Sequence, residues 1–204
     1  VLPPQDLLRS WLGFRLNPEQ GGGIHTFVEK TCGLPYAIPT FNCNGHWLPN
    51  PLNFAEGRAE LPERLELRGA IGHCHGDFHG LNLLVDSRSD NQDSYFLIDL
   101  AHYQSRQFLF FDHAYFELAL LVNQRGGAPA SNWSALISNL CRFPNLDEQP
   151  PLRTDDIGLI DLVNSLRQGI VSWIETHEVE RLAYMENKVL LARVAAGLNY
   201  THKR

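Results

Sequence analysis

The part of the sequence that decides the fold is residues 73–82, HCHGDFHGLN, followed at residues 97–100 by LIDL. Two short apolar runs follow the first segment: Leu83–Val85 directly after it, and Tyr95–Ile98, which overlaps the second segment. A polar loop, residues 86–94, separates the two runs. Short apolar runs on either side of a polar loop predict a β-hairpin. The segment therefore combines a polar turn with a small antiparallel pair.

This hairpin would bring three oxygen-bearing side chains together. Asn82 stands just before the first strand and Asp99 just after the second, so an antiparallel return places them side by side. Asp77 lies in the preceding turn, five residues ahead of Asn82. Carboxylate and amide oxygens are hard ligands that suit Mg²⁺. A proton-accepting Asp beside a metal-holding Asn and Asp is the equipment of phosphoryl transfer.

The motif resembles a known superfamily. Residues 75–82 read H-G-D-x-H-x-x-N, and an apolar strand, Ile98-Asp99 and a further Asp at 112 follow. This order resembles the aminoglycoside phosphotransferase and choline kinase superfamily, whose members have the protein-kinase-like fold. The matching region covers roughly residues 70–122.

The resemblance implies roles for the converging residues. Asp77 would be the catalytic Asp that positions and deprotonates an acceptor hydroxyl. Asn82 and Asp99 would hold Mg²⁺ and thereby the phosphates of ATP, which is a substrate.

The resemblance also implies roles for three supporting residues. His75 and His79 match the two histidines of the motif and are grouped with the catalytic residues because they shape the loop. Asp112 matches the later Asp that braces the catalytic loop. Asp112 is also a plausible N-cap for a helix over 114–122, and the two roles are compatible.

The sequence departs from the family in its first 72 residues. An ATP-covering lobe needs a phosphate-covering loop and a strand-borne Lys. Lys30 is the single lysine available there, and Gly21–Gly23 lies too close to it for a loop, a hairpin and a third strand. We therefore interpret Lys30 as a surface residue and expect the N-terminal lobe to be missing or degenerate. Leu100-Ala101 after Asp99 is a mild further departure.

The remaining sequence divides into two parts that differ in composition and hydrophobic pattern. Residues 1–55 predict a loop-rich segment that packs on the rest, with a short helix at Asp6–Leu12 and proline-rich loops elsewhere. Residues 56–204 predict the larger, C-terminal lobe: catalytic loop 73–82, metal-binding hairpin 82–99 and helical subdomain 112–204. Within these parts we expect helices over 52–68, 114–122, 131–140, 154–174 and 179–199. The predicted fold class is α+β, the helical C-terminal lobe of a protein-kinase-like fold with a small β-hairpin.

Composition excludes several classes of protein. The net charge is −6, from 17 basic and 23 acidic residues, and no basic stripe suits a nucleic-acid backbone. No apolar run approaches the roughly 18 residues of a membrane span, and no signal peptide is visible. The four cysteines show no paired spacing, which indicates reduced thiols and a cytoplasmic protein. The start at Val1 leads us to expect a piece of a longer polypeptide.

Two less specific motifs indicate a resemblance to one group of kinase-like domains in particular. Pro49-Asn-Pro51 and the closing segment 192–200, ARVAAGLNY, are similar to kinase-like domains of bacterial multidomain proteins. In those proteins the domain accompanies an NTPase or another effector module in presumed conflict or signalling systems.

Two functions remain open at this stage. The first is an ATP- and Mg²⁺-dependent transfer of the γ-phosphate to a hydroxyl of a small molecule. The second is a pseudokinase-like regulatory or adaptor module of a bacterial signalling protein, whose partner is a neighbouring domain of the same polypeptide. For the fragment alone, inactivity is the expectation. A zinc site at His73, Cys74, His75 and His79, a Cys-His nucleophile and a metal-dependent hydrolase are weaker alternatives.

Overall fold

The computed structural model describes residues 2–43, 45–59, 67–86, 94–124, 135–140, 157–177 and 182–202. The helices are α1 (Pro4–Leu12), α2 (Ile24–Thr26), α3 (Pro51–Ala55), α4 (Phe111–Gln124), α5 (135–140), α6 (Ile157–Thr176) and α7 (Leu182–His202). The strands are β1 (Thr40–Cys43), β2 (His46–Pro49), β3 (Ile71–Cys74), β4 (Leu83–Val85), β5 (Tyr95–Leu97) and β6 (Gln104–Phe108). The predicted α+β class is confirmed.

The strands form three separate antiparallel pairs, β1–β2, β3–β6 and β4–β5. In the predicted hairpin, Leu83 pairs with Leu97 and Val85 with Tyr95. In the β3–β6 pair, Ile71 faces Phe108, and the register shifts between Gly72 and Cys74. This irregularity is a bulge, which bends a strand and re-aims the side chains that follow it. The bulge thus lies at the entrance to residues 75–82, the predicted catalytic loop.

The main core is built from helices distant in sequence. Leu8 and Leu12 of α1, Tyr115 of α4 and Met185 and Val189 of α7 are almost completely buried in one cluster. The indole Nε1 of Trp11 in α1 donates a hydrogen bond of 2.9 Å to the carbonyl of Phe108. The N-terminal segment therefore shares its core with the helices that follow the catalytic loop.

A second, smaller core lies at the other end of α4. Its buried members come from α4, α5 and α6: Leu121, Leu136, Leu140, Ile160 and Val163. Helices α4 and α6 each contribute to both cores, so these two helices hold the cores together. Among the described residues, no helix combines the length and hydropathy that crossing a bilayer requires.

Apart from the helix expected over 52–68, the helix predictions are confirmed in type but differ at their ends. α1 begins at Pro4, whose fixed φ suits the first helical turn, and ends at Leu12 as expected. The last helix continues three residues past Asn199, to His202. The predicted start positions Ser131, Thr154 and Val179 lie outside the described residues.

Two expectations for the N-terminal part are wrong. The stretch around Pro39 and Pro49, expected to be loop, contains the hairpin β1–β2. Residues close in sequence stabilise its turn. The side-chain oxygen of Asn42 accepts a hydrogen bond from the backbone N–H of Gly45, and Gly45 has a φ of 85°. The helix expected over 52–68 is limited to α3 and ends at Ala55, and residues 60–66 of it lie outside the described residues.

Candidate active site

The backbone of the hairpin has the predicted geometry. The N–H of Ile98 donates to the carbonyl of Asn82 at 3.1 Å, so the ladder of β4–β5 continues one residue beyond the strands. Asn82 is therefore directly opposite Ile98, and Asp99 is the next residue. Asp99 takes a left-handed conformation, φ 56° and ψ 62°, which Asp tolerates better than most residues. Its side chain is exposed at the end of the hairpin.

The catalytic loop folds back on itself through Asn82. The amide nitrogen of the Asn82 side chain donates to the backbone carbonyl of Asp77 at 2.9 Å. The same nitrogen lies 3.4 Å from Nε2 of His79, which in turn lies 3.8 Å from a carboxylate oxygen of Asp77. Asp77, His79 and Asn82 thus form one compact group, and Asn82 is buried.

His75 ties the loop to the hairpin. Its ring is buried, and Nε2 donates to the carbonyl of Ile98 at 2.8 Å. This bond fixes the position of the residue immediately before Asp99 relative to the residue two before Asp77. His75 is therefore placed as a positioning residue.

Asp112 holds the backbone at the start of the loop. One carboxylate oxygen accepts from the N–H of His75 at 2.5 Å and the other from the N–H of Gly76 at 2.9 Å. These are the contacts expected of a residue that braces the loop. The N-cap interpretation of Asp112 is wrong, because α4 already begins at Phe111 and Asp112 lies in its first turn.

Two buried residues that the sequence analysis did not select interact electrostatically with Asp77. Burial raises the pKa of the Tyr115 hydroxyl, and the negative charge of Asp77 raises it further. Burial lowers the pKa of the Arg15 guanidinium, while the charges of Asp77 and Tyr115 oppose that effect. Both residues are thus close enough to Asp77 for their charges to interact with it.

The sequence carried a signal for one of these two residues. Tyr115 follows Asp112 by three positions on a helix, and side chains with that spacing share a face. Arg15 lies some sixty residues upstream of the loop, and no local pattern indicates that it packs there.

The weaker alternatives find little support in this geometry. Cys74 is buried, and burial together with the charge of Asp112 raises the pKa of its thiol, which disfavours the thiolate that a nucleophile or zinc ligand needs. Within the described ranges, no group of three or more His, Cys, Asp or Glu side chains is arranged to hold a metal ion. Lys30 is exposed in a π-helical turn, Phe27–Thr31, rather than on a strand.

Asn82 and Asp99 suit a magnesium ion in their chemistry. The Asn82 nitrogen is engaged by Asp77, which leaves the amide oxygen as its remaining ligand atom. Asp99 is exposed and lies one residue beyond the position opposite Asn82 on the hairpin. Two oxygen ligands with room for water and phosphate is the pattern that Mg²⁺ commonly uses.

Two cavities lie near these elements. One, of about 300 Å³, borders the catalytic loop at Gly76 and includes Arg15 in its wall. The other, of about 420 Å³, lies between α4, α5, α6 and α7, and its lining includes none of the six predicted site residues. The lining of the smaller cavity contains none of the six either, but it contains Cys74 and Gly76, the residues on either side of His75.

A scan against protein-family models finds no match, and searches of curated proteins and of solved structures find no similar protein. The resemblance to the phosphotransferase superfamily therefore rests on the loop and hairpin residues themselves.

Gly76 is required by the shape of the loop, and Gly76→Ala should destabilise the protein by about 1–3 kcal/mol. Its φ is 78°, and a Cβ there would lie 2.5 Å from the carbonyl oxygen of His102. Urea denaturation would measure the change. Gly80→Ala in the same loop is the matched control, because no atom lies within 4 Å of its added Cβ. Equal stability of the two variants would contradict the prediction.

Proposed function

We propose that the protein is an ATP- and Mg²⁺-dependent phosphotransferase that transfers the γ-phosphate to a hydroxyl of a small molecule. The observation that carries the proposal is the joined loop and hairpin: Asn82 bonds the backbone of Asp77 while its own backbone pairs with Ile98, next to Asp99. The kinase-like lobe, the cytoplasmic location and the bacterial family are part of the same proposal.

The chain's own residues divide the work of such a reaction. Asp77, held by the Asn82 amide and flanked by His79, would accept the proton of the acceptor hydroxyl. His75 and Asp112 would keep the loop rigid, so that little reorganisation is needed during reaction. Asn82 and Asp99 would hold the metal, which supplies neutralisation of phosphate charge when bound.

The competing proposal is a pseudokinase-like adaptor module. One observation favours it: the hairpin exposes apolar side chains on both faces, Leu84 and Phe96 on one and Val85, Tyr95 and Leu97 on the other, with Phe96 66 % accessible. Large exposed apolar patches are rare on monomeric proteins and commonly mark interaction surfaces. The neighbouring domain would be the partner in that case.

Calorimetric titration with ATP, with and without Mg²⁺, tests the first proposal. We expect binding that requires Mg²⁺ and that Asp99→Ala weakens at least tenfold, since even residues behind a metal ligand have effects of about that size. Asp86→Ala is the matched control, because it removes the same charge at the opposite end of β4. The titration should include this chain and any longer natural polypeptide that contains it.

The outcomes separate the proposals. Mg²⁺-dependent binding together with phosphate transfer to a hydroxyl acceptor supports the enzyme. Binding without transfer from either polypeptide supports the adaptor module. If neither binds ATP, the phosphotransferase proposal is wrong.

A further inference from the structure

Arg15 is an unusual residue for the place it occupies. It is 6 % exposed, in the 3₁₀ turn Gly13–Leu16 that follows α1. Its Nε atom is buried and has no hydrogen-bond partner among the described residues. Buried arginines ordinarily have their donors satisfied, because an unmet donor on a charged group costs considerable free energy.

The contacts that Arg15 does make compensate its burial in part. Its guanidinium lies 5.1 Å from the ring centroid of Phe14, within cation–π range. The charge of Asp77 also favours its ionised form. Neither interaction supplies a hydrogen-bond acceptor to Nε in the plane of the guanidinium, which is where carboxylates and phosphates bind it.

The side chain of Arg15 also lines a cavity. The cavity of about 300 Å³ beside the catalytic loop has Arg15 in its wall, together with Gly76, His102 and Gln104. This volume is at the lower end of the range for small-molecule sites, which is roughly 300–1,000 Å³. The cavity is therefore large enough for a small anion or a compact phosphorylated molecule.

The wall of this cavity is rigid on the side of β6. The Gln107 amide donates to the carbonyl of Ser10 at 2.9 Å and to the side chain of Gln104 at 3.0 Å. Its oxygen accepts from the N–H of Phe108 at 2.9 Å and from the Ser10 hydroxyl at 3.2 Å. A wall whose polar groups are already satisfied keeps its shape, so little ordering would accompany binding.

Arg15 is also fixed from behind. A Cβ at Gly22 would lie 2.5 Å from the Arg15 carbonyl oxygen, so the backbone of the glycine segment packs directly on this turn. The backbone of the turn that carries Arg15 is therefore held in place beside the cavity.

We propose that the cavity between the 3₁₀ turn at Arg15 and the catalytic loop is a binding site for a small anionic molecule. Arg15 holds the phosphate or carboxylate group of this ligand. The site is distinct from the metal-binding pair Asn82 and Asp99, and binding at it does not require phosphoryl transfer. Its nearness to Asp77 means that the bound anion and the Asp77 carboxylate compete for the same cation.

Thermal unfolding and calorimetry with inorganic phosphate test the site, with malonate as the carboxylate probe and chloride at equal ionic strength as reference. We expect saturable stabilisation of the wild type by phosphate, by malonate or by both. Arg15→Gln should weaken that binding at least tenfold. Arg106→Gln, which removes the same charge from an exposed position on β6, should leave it unchanged.

Two further variants keep the test decisive if Arg15→Gln does not fold. Ala101→Phe narrows the cavity at an exposed wall position without changing charge, and it should abolish binding. Asp77→Asn should strengthen anion binding several-fold, because it removes the competing carboxylate, although the same variant would eliminate the proposed phosphoryl transfer. The opposite directions distinguish failure of this site from failure of the proposed function.

The proposal is overturned if neither anion stabilises the wild type beyond chloride. It is also overturned if Ala101→Phe, or a folded Arg15→Gln, binds them as the wild type does. Phosphate binding alone would identify a phosphoryl group as the recognised chemistry, and binding of both anions would identify a general carboxylate and phosphate site.

Discussion

Glu117→Ala should destabilise the protein by about 3–5 kcal/mol, because it leaves two arginines without their common partner. One carboxylate oxygen of Glu117 accepts from Arg167 at 3.0 Å and the other from Arg193 at 3.1 Å. The Arg167 side chain is 2 % exposed and lies in the low-dielectric region between α4 and α6. Breaking a buried ion pair from one side costs far more than the net contribution of the intact pair.

Urea denaturation monitored by circular dichroism measures this effect. Glu175→Ala on α6 is the control, since that glutamate is exposed and its loss should change stability by less than about 0.5 kcal/mol. The double variant Glu117→Leu with Arg167→Met should recover much of the loss, because it removes both buried charges together. If the free energy of unfolding of Glu117→Ala lies within about 1 kcal/mol of the wild-type value, the buried carboxylate does not stabilise the protein as predicted.

This network of one glutamate and two arginines joins three helices that no local sequence pattern connects. Glu117 is on α4, whereas Arg167 and Arg193 are on α6 and α7, 50 and 76 residues further along. In the sequence all three look like ordinary charged positions on amphipathic helices. Their burial depends on how the helices pack against one another, which hydrophobic periodicity does not specify.

The catalytic loop and its hairpin were predictable because their information is local. The strands flank a short polar loop, and the positions of Asn82 and Asp99 relative to those strands determine which residues meet. The β3–β6 pair was missed for the opposite reason. Ile71 and Phe108 are 37 residues apart in sequence, and β6 is mostly polar, so period-two alternation does not mark it.

Arg15 shows the same limit at the candidate site. The motif residues of the loop, 75–82, are contiguous, and the resemblance identified them from the sequence together with Asp99 and Asp112. Arg15 reaches the loop only because α1 packs on α7 and β6, and the turn after α1 directs it inward. Sequence reasoning therefore described the loop itself but not the buried charges around it.

Asp112→Ala should destabilise the protein by about 3–6 kcal/mol and loosen the catalytic loop. The variant removes the acceptor of two hydrogen bonds, from the backbone N–H groups of His75 and Gly76. Hydrogen bonds to charged groups contribute about 1.5–3 kcal/mol each, and unmet buried donors add a cost. Helix formation itself should change little, since Asp112 directs its carboxylate at the loop.

Hydrogen exchange gives a local readout that a purely global effect would not reproduce. The amides of His75 and Gly76 should lose protection under conditions in which the amides of α7 keep theirs. Asp161→Ala provides the control, because it removes an exposed aspartate from α6. Asp112→Asn retains one acceptor oxygen and should fall between the wild type and the alanine variant.

Cys74 provides an independent check of the same variant. The negative charge of Asp112 contributes to the raised pKa of the Cys74 thiol, after the larger effect of burial. Asp112→Ala should therefore lower the pKa of Cys74 and make its alkylation faster, as mapped by mass spectrometry. Unchanged amide protection and unchanged alkylation of Cys74 would together show that Asp112 does not brace the loop.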